Sequence, residues 1–83
     1  MRFEITDHSF VQLYCNTRKS LFSYALVMTG ARVFGRDCDG GQWHRHPVES
    51  PDMHDATAEG KRAVTFEEFL QEVQQVLARL KML

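Results

Sequence analysis

The chain begins with period-two alternation. Phe3 and Ile5 fall on one side of residues 2–6, and Arg2 and Glu4 on the other, the pattern of a short half-buried strand. Asp7-His8 reads as a turn. From Ser9 to Cys15, Val11, Leu13 and Cys15 share one face while Phe10, Gln12 and Tyr14 share the opposite one. The polar run Asn16-Thr17-Arg18-Lys19 reverses the chain. Leu21 to Met28 is the most hydrophobic stretch, with Phe22, Tyr24, Leu26 and Met28 on one face and Leu21, Ser23, Ala25 and Val27 on the other. A strand apolar on both faces belongs at the centre of a sheet. Thr29-Gly30 is a tight-turn signal. Ala31 to Arg36 then alternates as a fourth strand, which puts Arg32 and Phe34 on one face.

The period changes at the C-terminal end. Phe66, Phe69, Leu70, Val73, Val76, Leu77 and Leu80 recur at i, i+3, i+4, i+7 spacing, one apolar stripe of an amphipathic helix. Thr65-Phe66-Glu67-Glu68 is a capping box that starts it. Arg79 and Lys81 suit the negative end of its dipole. Glu67, Glu72, Gln74 and Gln75 fall on the water side. The expected architecture is α+β: an antiparallel meander of four to five strands with one C-terminal helix packed on one face. Ala63-Val64 is a candidate short edge strand. The helix covers one face, so Phe22 and Tyr24, or their neighbours opposite, need another cover. A partner subunit supplies it most simply, which makes a homodimer the expected assembly.

At 83 residues the chain is one domain, spanning 1–83. A hydrophobic fraction of 43% and a charged fraction of 25% are those of a soluble globular domain. A net charge of −1 provides no global field for nucleic acid, so any such contact needs a local patch. No apolar run approaches the ~18 residues of a membrane span, and no signal peptide is visible. The two cysteines, Cys15 and Cys38, make no disulfide framework. They read as reduced thiols of a cytoplasmic protein, with Cys15 in the core. His8 reads as a solvent-facing turn residue.

Between the two regular regions, residues 37–62 read as a loop in which no periodicity survives. The stretch from Gly35 to Ala56 holds three of the four histidines, the only tryptophan and both prolines. Long loops of this kind are often functional. In an extended segment, positions i and i+2 point the same way, so His44 and His46 converge; Pro47 favours that extended form at His46. Two imidazoles side by side suit acid–base work near neutral pH. That division of labour cleaves RNA through its own 2′-hydroxyl, with Arg36 or Arg45 neutralising the phosphate. Pro51 turns the chain back and brings His54 to the same place. Trp43 can stack on a nucleobase or fold its loop back onto the core, and the second use is the commoner. Cys38, His44, His46 and His54, with Asp37, Asp39 and Asp52 beside them, are a potential ligand set, but their spacing matches no standard zinc signature. No metal or other cofactor is therefore expected. Asp39-Gly40-Gly41 is a turn, without the strand-and-helix context of a phosphate loop.

Leu21-Phe22-Ser23-Tyr24, Phe34-Gly35-Arg36-Asp37, His44-Arg45-His46-Pro47 and Pro51-Asp52-Met53-His54, followed by the helix, resemble in their order the toxins of the TumE-like toxin–antitoxin family. The resemblance covers roughly residues 20–80 and rests on short motifs. Asp39-Gly40-Gly41-Gln42-Trp43 departs from the simpler Asp/Asn-rich run of that family. Members attack RNA and are neutralised by a cognate antitoxin. The resemblance implies a metal-independent endoribonuclease whose candidate catalytic residues are Arg36, Asp37, His44, His46 and His54. Arg45 and Trp43 are the candidate RNA contacts, and RNA and an antitoxin protein the implied partners. A non-enzymatic interaction module and a small metal-binding domain are the competing readings.

Overall fold

A computed structural model describes residues 1–55 and 57–81. Five strands form one antiparallel sheet in sequence order: β1 (Arg2–Thr6), β2 (Ser9–Asn16), β3 (Leu21–Met28), β4 (Ala31–Asp39) and β5 (Gln42–His46). A single helix, α1 (Phe66–Lys81), follows. This is the α+β meander with a C-terminal helix that the alternation predicts. The central position of β3 follows from its two apolar faces. No helix among the described residues is long and apolar enough to cross a membrane.

Two expectations about the strands need correction. The loop expected over residues 37–62 starts later, because β4 runs on to Asp39 and Gln42–His46 is a fifth strand. Asp39-Gly40-Gly41-Gln42 is a hairpin turn, with φ of 60° at Gly40 and 85° at Gly41. Two successive positive φ values make the primed turn whose twist matches that of antiparallel strands. Ala63-Val64, expected as an edge strand, is irregular chain, and Val64 is instead buried in the core.

The helix covers the face that carries Phe22, Tyr24 and Leu26. Val11, Tyr24, Leu26 and Phe34 from the sheet pack with Val64, Phe69, Val73 and Val76. Val11, Leu26 and Phe69 have 1% or less of their surface exposed. Trp43 stacks on Phe22 with ring centroids 6.2 Å apart and tilts against Tyr24 at 5.9 Å; the indole closes the core at the β5 edge. Cys15, expected in the core, is exposed, and Cys38, expected in a loop, is buried on β4. Glu72, expected to face water, turns to the sheet and meets Arg36.

The capping box forms as read. The Thr65 amide donates to Glu68 Oε1 at 2.9 Å, and the Glu68 amide donates to Thr65 Oγ1 at 3.1 Å. Thr65→Ala should lower stability by about 1 kcal/mol. Phe69→Ala, which empties a fully enclosed site, should lower it by about 3–5 kcal/mol. Denaturant melts of the two variants beside the wild type check both values; a smaller loss for Phe69→Ala than for Thr65→Ala would mean that the helix does not pack through Phe69.

Candidate functional site

Strand parity decides which residues meet. Tyr14, Ser23, Asp37 and His44 are Cα partners in one row across the sheet, and Gln12, Ala25, Gly35 and His46 in the next. Both rows lie on the face away from α1. Asp37, His44 and His46 therefore share the uncovered face, while Arg36, Cys38, Trp43 and Arg45 share the helix face.

Arg32 joins the uncovered face through a bulge. The β3–β4 register runs Leu26↔Phe34 and then Val27↔Arg32, so Val33 is the extra residue. Simple alternation puts Arg32 beside Phe34; the bulge instead turns it to the side of Gly35 and Asp37. Its side chain then crosses above Gly35. A Cβ placed there would lie 3.3 Å from Arg32 Cδ and 3.0 Å from the Tyr24 carbonyl oxygen. Beyond Gly35, Arg32 Nη1 donates to Asp37 Oδ2 at 3.2 Å. Its Nη2 lies 3.3 Å and 3.4 Å from the two nitrogens of His46. Near-equal distances to both nitrogens put the guanidinium over the ring face, since an in-plane approach would collide with the carbon between them.

His46 is the buried centre of the cluster, with 4% of its surface exposed. Its Nδ1 lies 2.9 Å from the Pro51 carbonyl oxygen and its Nε2 lies 3.1 Å from Asp37 Oδ2. A carbonyl only accepts, so Nδ1 is the donor there, and Nε2 faces the carboxylate. Ser23 Oγ donates to the other oxygen, Asp37 Oδ1, at 3.0 Å. Asp37 is thus fixed by three neighbours and in turn fixes the imidazole.

His54 arrives from the segment after β5. Its ring stacks on His44 with centroids 5.1 Å apart and an interplanar angle of 22°, and meets His46 edge-on at 4.7 Å. His44 is half-buried and His54 exposed. The outward imidazoles are therefore His44 and His54. His46, expected to work beside His44, is enclosed beneath them with both nitrogens occupied.

Arg36 and Arg45 are elsewhere. Arg36 is completely buried on the helix face. Its Nε and Nη2 donate to the two carboxylate oxygens of Glu72 at 3.0 and 2.6 Å, its Nη1 to the Glu59 carbonyl at 2.7 Å, and its Nη2 also to Glu59 Oε1 at 2.9 Å. All three guanidinium nitrogens have partners, and the side chain has no exposed surface from which to meet a phosphate. Arg45 pairs with Asp55, whose amide also donates to the Arg45 carbonyl at 2.8 Å. The geometry corrects the expectation that either arginine faces the histidines: each sits one residue out of phase with them. The ligand set Cys38, His44, His46 and His54 is divided in the same way, with Cys38 across the sheet. Among the described residues, no three or more His, Cys, Asp or Glu side chains are arranged to hold a metal ion.

Sequence reasoning missed Ser23 and Arg32. Ser23 carries a signal, being the one polar residue among Leu21, Ala25 and Val27 on its face of the central strand. Arg32 carries none, because its orientation depends on a bulge that the alternation does not show.

The segment after β5 is tied down by charge. The Thr57 side chain and amide, and then Arg45, hold the Asp55 carboxyl down to about 2. Arg62, and then Arg36, hold the Glu59 carboxyl down to about 2 from its ordinary 4.5. A depressed carboxylate adds stability above its unfolded value, and that stability is lost as pH falls through the folded value. Stability should accordingly fall between about pH 4.5 and about pH 2. Glu59→Gln should be less stable than wild type at neutral pH and indistinguishable from it at the acid end. Thermal melts of both proteins across that range check this; a constant difference at every pH would remove Glu59 from the account.

Gly35→Ala should lower stability by about 1–3 kcal/mol, because the added methyl meets the Tyr24 carbonyl and the Arg32 stem in a packed place. It should also lift Arg32 off His46, which the ¹⁵N shifts of the imidazole report. Unchanged shifts would show that Arg32 does not depend on the bare backbone at Gly35.

Neither a protein-family model, nor a curated protein, nor a solved structure matches this chain, so the functional reading rests on the geometry of the Asp37–His46 pair and the His44–His54 stack.

Proposed function

We propose that the uncovered sheet face is the acid–base site of a metal-independent endoribonuclease, the toxin of a toxin–antitoxin pair. The observation that carries the reading is the convergence of His44, His46 and His54 with Asp37 on one side of the sheet. Histidine is the side chain suited to give and take protons near neutral pH. Here two imidazoles face outward over a third that is held in place.

In this reading one of His44 and His54 takes the proton from a ribose 2′-hydroxyl. The freed oxygen attacks the adjacent phosphorus and forms a cyclic phosphate. The other histidine gives a proton to the departing 5′-oxygen, so the proton balance closes without a metal. The two rings stack with centroids 5.1 Å apart, close enough to serve the two oxygens of one phosphodiester. Asp37 and His46 are positioning residues: the carboxylate fixes the buried ring, and that ring meets His54 at right angles. Arg32 supplies positive charge beside them. A cognate antitoxin would act by seating on this same face and closing it to RNA.

The competing reading, a non-enzymatic docking module, draws on Tyr14, which is 52% exposed in the same row as Ser23, Asp37 and His44. RNA cleavage separates the two. Wild type should cut RNA in the presence of a chelator, with a bell-shaped pH profile. His44→Gln and His54→Gln should each lose roughly 100-fold or more at unchanged stability. The double variant should lose far less than the product of the two, because residues that act as a unit are not additive. His46→Gln should lose activity together with stability. Full activity in both outward variants would end the catalytic reading and leave the docking module.

A further inference from the structure

Among the described residues, a gap opens at the edge of the sheet beside His44. After β5 the backbone crosses over that edge at a single bridge, Arg45 to Asp55. Glu59 meets Arg36 on the helix face, and Lys61 lines the gap. Between this crossing and the hairpin turn lies a cleft of about 300 Å³ lined by Gly41, Gln42, Trp43, His44 and Lys61.

Main-chain groups of β5 face outward at this edge. The Asp55 amide donates to the Arg45 carbonyl, so Arg45 turns its peptide groups outward, away from β4. Alternation along an antiparallel edge strand gives Trp43 the same outward amide and carbonyl. The register agrees: Asp39 and Gln42 flank the two-residue turn as a hydrogen-bonded pair, which makes Cys38 and Trp43 the next, outward-facing pair. Among the described residues, no main-chain partner outside the sheet meets Trp43. The indole itself points into the core against Phe22 and Tyr24, so the edge is left with backbone rather than a ring. Gly41 adds open space, since a Cβ there would meet nothing within 4 Å.

We propose that this cleft binds one unpaired nucleobase of an RNA strand, and that it sets the strand in register with His44. The inference rests on the ribonuclease reading and deepens it. A donor and an acceptor side by side on one residue match the Watson–Crick edge of any base, where donor and acceptor are also neighbours. Recognition through the backbone asks for a base that is unpaired without choosing its identity strongly. Gln42, exposed at the mouth, carries both a donor and an acceptor for a second contact. Lys61 stands across the gap and neutralises the adjoining phosphate. With a net charge of −1 the protein as a whole does not attract polyanions, so a lysine at this place matters for binding. A base seated here puts the next phosphate at the outward faces of His44 and His54.

The test uses the full chain and a short single-stranded oligodeoxyribonucleotide of mixed sequence. That strand lacks the 2′-hydroxyl that cleavage needs, so binding is read without reaction. Trp43, the only tryptophan, reports it by fluorescence. Saturable binding is expected, weakened roughly tenfold in Lys61→Ala with the salt slope reduced by about 0.7. Gln42→Ala should weaken it less. Lys19→Ala, in the turn at Thr17–Lys19, should leave it unchanged. Annealing the strand to its complement should abolish the signal, because the base edges are then occupied. A duplex that binds as well as the single strand, or affinity indifferent to both Lys61→Ala and Gln42→Ala, would overturn the proposal. Binding as expected with no cleavage of RNA would support the cleft and remove the ribonuclease reading. Cleavage with no binding of the deoxy strand, and at wild-type rate in Lys61→Ala, would do the reverse.

Discussion

The buried guanidinium of Arg36 ties the three parts of this fold together. It lies on β4, takes both carboxylate oxygens of Glu72 on α1, and takes the carbonyl and carboxylate of Glu59 from the segment between β5 and the helix. A charge with no exposed surface is tolerated only when it is paired and hydrogen-bonded, and here the acceptors come from two separate stretches of chain, α1 and the segment before it. Removing one partner of such a pair costs about 3–5 kcal/mol, because the charge that remains is stranded. The consequence reaches the other side of the sheet. To deliver Glu59 to the helix face the chain must pass around the edge of β5, and it does so at Asp55. The residue just before that crossing is His54. An interaction on the covered face thereby sets where a histidine arrives on the uncovered one.

The sheet divides the labour between its faces by parity alone. In the run Arg36-Asp37-Cys38 and the run Trp43-His44-Arg45-His46, neighbours in sequence have opposite duties. Even positions of β4 and odd positions of β5 build the core and its buried ion pairs. Their neighbours build the polar cluster. A one-residue slip in register would exchange the two sets and bury His44 and His46 against the helix. The hairpin at Gly40-Gly41 prevents this, since its two positive φ values admit only one pairing of β4 with β5. Asp37 and the histidines share a face because of the turn that joins their strands.

The stripe of α1, its capping box, the central place of β3 and the likeness in direction of His44 and His46 were all legible in the sequence, since each follows from a period of 3.6 or of two. What stayed hidden has a common cause. Arginines rank by charge in a sequence, and Arg36 and Arg45 stand beside the histidines as suitable phosphate ligands. Only the strand continuing through Asp39, and a fifth strand beyond it, show that they point the other way. A chain read as loop from residue 37 has no parity, so it could not separate Asp37 from Arg36 or Cys38 from His44. Arg32 is hidden more deeply: one extra residue at Val33 reverses its face, and no composition rule marks a bulge. Trp43 went to the core, which is the ordinary fate of a lone tryptophan beside aromatic neighbours.

Building the cluster on strands has a physical consequence for its chemistry. A histidine on a free loop must give up side-chain and backbone freedom each time it is brought to a reacting group. His44 and His46 lie on a paired strand, and His46 is further held at both nitrogens and under the Arg32 guanidinium. The entropy of placing them is spent when the chain folds. His54 is the exception. It stands on irregular chain, set at right angles to His46, stacked on His44, and held through Asp55 by the anchor at Arg45. Its position depends on contacts from both faces of the sheet.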